Sequence, residues 1–182
     1  MKTFVIITLF ATANLGTALF ANPIEKPTPT VTVFKSQVAF HQTNVDALWK
    51  QYDLVVQRIR NSVGNHAVLE RDEAFFVSVY QKDIDNNIRV EESRKALTEI
   101  KTQYARAHKK RSAEEARQIA ALQNQLKKAL KREAKALGKT KRTYADLANT
   151  QPMQEVENYV NESIERVDML LAESSKTTIA TQ

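Results

Sequence analysis

The side chains able to do chemistry are few and scattered. His41, His66 and His108 stand apart from one another, and none falls in the His-x-x-x-His spacing that puts two zinc ligands on one helix face. Cysteine is absent, which removes thiolate nucleophiles and thiolate metal sites. Three glycines in the whole chain leave no phosphate-cradling loop. Glu70, Asp72 and Glu73 lie close together, but Arg71 stands among them at a helix start, where acidic residues complement the helix dipole. The segment from Asp83 to Arg94 has oxygen side chains at its first, third and fifth positions, as a calcium loop does. It departs where that chemistry is strict, with Ile88 in place of the turn glycine and Arg94 in place of the bidentate carboxylate. The expectation is therefore no catalytic residue, no metal site and no cofactor.

What remains is charge. From Arg94 to Arg142 there are 16 Lys or Arg against 4 Asp or Glu, so this stretch carries most of the net charge of +6. Stepping about 100° per residue from Ile119, the side chains of Leu122, Leu126, Leu130 and Leu137 fall on one face. Arg117, Lys128, Lys131, Arg132 and Lys135 fall opposite, and Lys127 joins the four-residue repeats of positive charge. These six basic residues form the candidate site for an anionic partner. Each like-charge pair at four-residue spacing costs an isolated helix about 0.2 to 0.5 kcal/mol, enough to make a neutralising partner worth considering.

The elements that must position this face read as helices throughout, giving an all-α fold. The expected form is an elongated bundle or long helical hairpin of about four to five amphipathic helices. Residues 1–21 have one lysine, an apolar run and then small residues up to Gly16-Thr17-Ala18, followed by Leu19-Phe20-Ala21, the layout of a secretory signal peptide. Residues 22–43 read as a Pro/Thr-rich extended tether, since three of the four prolines lie in 22–30 and Thr30 to Phe34 alternates like a strand. Residues 44–173 are the expected helical domain and 174–182 a frayed tail. A first helix capped by Asn44 ends at Gly64. The segment from Ala67 to Lys82, apolar nearly all round, suits the centre of the core. Between Gly64 and Gly138 there is neither glycine nor proline. Ser112-Ala-Glu-Glu115 has the form of a capping box, so one helix from Glu91 to Leu137 and two helices joined near Lys110 both remain open. Gly138 is expected to end that region, and Pro152 to sit in the first turn of a last, acidic helix.

Together these features describe an exported, secreted or periplasmic protein. Its expected role is that of a non-catalytic interaction or scaffold module, pairing with a protein or with itself through the leucine stripe. Two alternatives use the same helices differently. One is a bundle that opens onto a lipid surface; the other is a binder of an anionic polymer through the basic face. Aromatic residues are not interleaved with the basic ones, which argues against sequence-specific nucleic-acid recognition.

Overall fold

The computed structural model describes residues 31–180, with side chains through Ser175. The expected leader at 1–21 and the first part of the expected tether lie outside the described residues. Those residues form helix α1 (Val31–Ser62), α2 (Ala67–Asp85), α3 (Val90–Thr143), a 3-10 turn (Ala145–Leu147) and α4 (Gln151–Ala180). No strand occurs among them. The all-α expectation holds.

Helix α3 is the spine. It runs unbroken for 54 residues, about 81 Å at 1.5 Å per residue, and every other helix packs along it. Its C-terminal half lies against α1 and α4 around one apolar core. Leu126, Leu130, Met153, Val45, Val160 and Val167 are the largest side chains fully withdrawn from water. The contacts fix the directions. Phe34 meets Tyr144, His41 meets Thr140 and Glu133, Tyr52 meets Gln123, and the Asn65 carbonyl meets Arg111, so α1 runs antiparallel to α3. Lys141 to Glu157 and Gln123 to Ser174 make α4 antiparallel to α3 as well. α1 and α4 are consequently parallel, joined where the Trp49 indole N–H donates to the Ser163 hydroxyl at 3.1 Å.

Three boundaries differ from those read in the sequence, and a fourth that was left open is decided. α1 starts at Val31, not Asn44, so residues 31–43 are helix and not extended tether. Phe34, Val38 and His41 continue the buried stripe of Val45, Trp49 and Tyr52, and burial of that stripe outweighs the strand preference of the β-branched residues. Gly138 does not end α3, which passes through it to Thr143. A methyl group there would meet nothing within 4 Å, so its only handicap is the intrinsic penalty of about 1 kcal/mol for helical glycine. Leu137 beside it is buried in the core. Of the two forms left open for this region, the continuous helix holds, with no break at Ser112, and Glu114 binds Arg117 and Gln118 along it. α4 extends to Ala180, into the segment read as a tail.

The largest correction concerns α2. It holds no buried residue, so it is not the core. α2 folds back along the N-terminal half of α3 through a turn in which Asn87 (φ 56°) and Arg89 (φ 45°) adopt left-handed backbone. Leu69, Val77, Tyr80 and Ile84 face α3 and are half-buried, whereas Val68, Phe75, Phe76 and Val79 face water. The stretch is apolar on two sides and has a helix neighbour on only one.

Candidate functional site

Because Leu122, Leu126, Leu130 and Leu137 are drawn into the core, the helix geometry turns the opposite face of α3 outward. The six basic residues singled out from the sequence then separate into two groups. Lys128, Lys131, Arg132 and Lys135 are exposed and form no ion pair or hydrogen bond among the described residues. Lys127 sits at the flank, half-buried, with its Nζ 2.5 Å from the Asp168 carboxylate of α4. Arg117 is exposed but spends its charge on Glu114 one turn away, at 2.8 Å. The Glu114 carboxyl is held below its ordinary range, first by the Gln118 hydrogen bond and then by that of Arg117.

Two residues outside the original set extend the free group. Lys139 and Arg142 are exposed, unpaired among the described residues, and fall on the same side of α3. The reading of Gly138 as a helix end hid them, since only a continuous helix carries the face past it. From Lys128 to Arg142 the face spans about 21 Å of helix axis. The only acidic residue in that interval is Glu133, and it turns inward to α1. The remaining cation, Lys141, is neutralised by Glu157 of α4 at 2.7 Å. The acidic last helix thus takes the flanking lysines and leaves the outward ones in water.

No family model matches this chain, and no curated protein or solved structure matches it.

Two side-chain groups went unseen in the sequence because their members are far apart in it. In the first, buried His41 contacts the Glu133 carboxylate through Nδ1 at 2.5 Å and the Thr140 hydroxyl through Nε2 at 2.8 Å. Hydroxyl, imidazole and carboxylate stand in the order used by nucleophilic hydrolases. The setting does not suit that chemistry. Thr140 lies in the last turn of α3, where backbone carbonyls rather than N–H groups are left over, so an oxyanion there would meet the negative end of the helix dipole. The group ties α1 to α3. Its sequence signal was slight: His41 shares the stripe of Phe34, Val38 and Val45, but the antiparallel register of α1 on α3 is needed to bring Glu133 opposite.

In the second group, His66 and His108 meet edge to edge in nearly one plane, with ring centroids 4.8 Å apart and Nδ1 atoms 2.5 Å apart. At that separation one ring donates and the other accepts. Glu73 lies 3.6 Å from the far nitrogen of His108, so it is not partnered with Asp72 as an acid/base pair. Arg111 donates to the Asn65 carbonyl at 2.7 Å beside this cluster. Together they lock the joint at which α1 gives way to α2. Among the described residues, no group of three or more His, Asp or Glu is placed to hold a metal ion.

The leucine stripe, the other feature offered as a partner surface, is covered by α1 and α4 of the same chain. Pairing through it would require the three packed helices to separate. No helix among the described residues is long and apolar enough to cross a membrane.

Proposed function

We propose that this chain is an exported, non-catalytic interaction module that presents the outward face of α3 to a polyanionic partner. The observation that carries the proposal is the sorting of the cations. Those able to reach α4 are neutralised, while Lys128, Lys131, Arg132, Lys135, Lys139 and Arg142 remain together without counter-charge among the described residues. Like charges at four-residue spacing oppose the helix slightly, and a polyanion removes that cost while releasing its own counterions. The face is a straight row with no aromatic side chain between its cations, which suits a repeating anionic backbone and not the reading of bases.

The test is retention of the full chain on a sulfated-polysaccharide matrix across a salt series. Strong retention at low salt is expected, with the logarithm of affinity falling by up to about 4 to 5 per logarithm of salt for six neutralised contacts. Lys128→Glu, Lys131→Glu and Lys135→Glu together should abolish it, whereas Lys101→Glu on the other half of α3 should change it little. Retention that ignores the triple change refutes the proposal. Flotation with neutral vesicles, accompanied by a gain in helicity, would instead support opening onto lipid.

A further inference from the structure

The outward face of α2 carries a second surface, independent of the basic face of α3. Val68, Phe75 and Val79 lie on one line along the helix, within about 20° of a common direction at 100° per residue. All three are exposed, Phe75 at 62%. α3 packs on a different side of α2, the side of Leu69, Val77, Tyr80 and Ile84, and leaves this line open.

The charges beside it are ordered. Arg71-Asp72 and Lys82-Asp83 are the same basic-acidic step repeated 11 residues apart, about three turns of helix. Arg71 and Lys82 therefore fall about 40 to 60° to one side of the line, and Asp72 and Asp83 about 40 to 60° to the other. Arg71, Asp72 and Lys82 are exposed and have no ion pair among the described residues. Asp83 touches Arg89 across the turn only at 3.6 Å. An apolar line with a positive rail on one edge and a negative rail on the other is complementary to itself.

We infer that this face pairs with the α2 face of a second copy of the chain, the two helices parallel and in register. A two-fold axis along the helices carries the positive rail of one copy onto the side of the negative rail of the other. Arg71 then meets the partner's Asp72, and Lys82 the partner's Asp83, at nearly the same height. An antiparallel pair would set positive rail against positive rail and negative against negative, which disfavours it. The apolar line between them supplies the non-directional part of the association, with Phe75 as its aromatic anchor. Such a contact is isologous, so it closes at a dimer and does not propagate.

Sedimentation of the full chain over a range of concentrations tests the inference. A dimer in exchange with monomer is expected. Phe75→Ser should weaken it roughly tenfold or more, the effect of losing a central aromatic anchor. Because that change also alters α2 itself, charge variants provide the second arm. Arg71→Glu with Lys82→Glu gives two negative rails, and Asp72→Lys with Asp83→Lys gives two positive ones. Each variant should be monomeric alone, and the two mixed should form a heterodimer, with circular dichroism confirming unchanged helicity. The chain lacks cysteine, so Asn86→Cys introduces a single thiol at the end of the line; oxidation should link it to itself in a parallel pair. A chain that stays monomeric at every concentration overturns the inference, as does a dimer indifferent to both Phe75→Ser and the rail reversals. A monomer that binds vesicles through Phe75 overturns it in favour of lipid. Retention on the polyanion matrix should be unchanged by Phe75→Ser, so failure of one surface is separable from failure of the other.

Discussion

Replacing His41 tests whether its group with Glu133 and Thr140 is a structural brace. The imidazole is 4% exposed, and it holds the Glu133 carboxylate and the Thr140 hydroxyl at once. In His41→Leu the carboxylate keeps only a long contact to the Asn44 amide at 3.4 Å. The cost expected is about 2 to 3 kcal/mol, the loss of the hydrogen-bond partner of a part-buried carboxylate that retains some access to water. Glu133→Leu leaves the imidazole its Thr140 bond and should cost about 1 to 2 kcal/mol. With both changes made, neither partner is stranded, and the double variant should cost only about 1 to 2 kcal/mol. The resulting coupling is on the order of 2 kcal/mol. Urea unfolding followed by the emission of Trp49, the only tryptophan in the chain and a buried one, reads all four corners of the cycle. Costs that simply add would refute the brace.

Other expectations follow from single contacts. The Tyr159 hydroxyl donates to Asp46 at 2.6 Å, and that bond, followed by burial, raises its titration above the ordinary tyrosine range. The stability it contributes is complete below the unfolded value near 10 and is lost as pH rises through the raised folded value, so alkaline absorbance titration should show one late tyrosine that Tyr159→Phe removes. A methyl group at Gly64 would lie 2.9 Å from the Arg60 carbonyl and 2.6 Å from the Glu115 carboxylate, so Gly64→Ala should destabilise by about 1 to 3 kcal/mol in urea unfolding. Lys127→Ala should lower stability by roughly 0.2 to 1 kcal/mol through loss of Asp168, whereas Lys131→Ala should leave it level or raise it by a few tenths as repulsion along α3 is relieved. The opposite signs in thermal unfolding are the check.

The parts of this fold legible in the sequence are those set by helical period. The stripes of α1, the C-terminal half of α3 and α4 are buried as their spacing requires, and the outward turn of Lys128, Lys131, Arg132 and Lys135 follows from the same geometry. What failed was punctuation and neighbourhood. Thr30 to Phe34 resembles a strand by composition, yet Phe34 is buried against Tyr144, a residue 110 positions away that local pattern cannot supply. Gly138 resembles a stop, yet core packing on either side carries the helix through. α2 resembles a core element because its apolar residues surround it, but hydrophobicity does not say how many neighbours a helix will have. The two histidine groups depend on register between helices, and the only local trace was the place of His41 in the buried stripe of α1.

A single helix that serves two differently packed regions must hold them at unequal strength. Around Leu122 to Leu137, α3 is covered by two helices and opens only when the whole core does. Around Leu97 to His108 it is covered by α2 alone, a helix with no buried residue of its own, and within that span only Leu97 is withdrawn from water. The backbone amides of α3 should therefore exchange with deuterium in a gradient along one uninterrupted rod, slow beyond Leu122 and faster before Arg111. The hairpin end can unclasp from its joint at His66 and His108 while the helix beneath it stays continuous with a folded core.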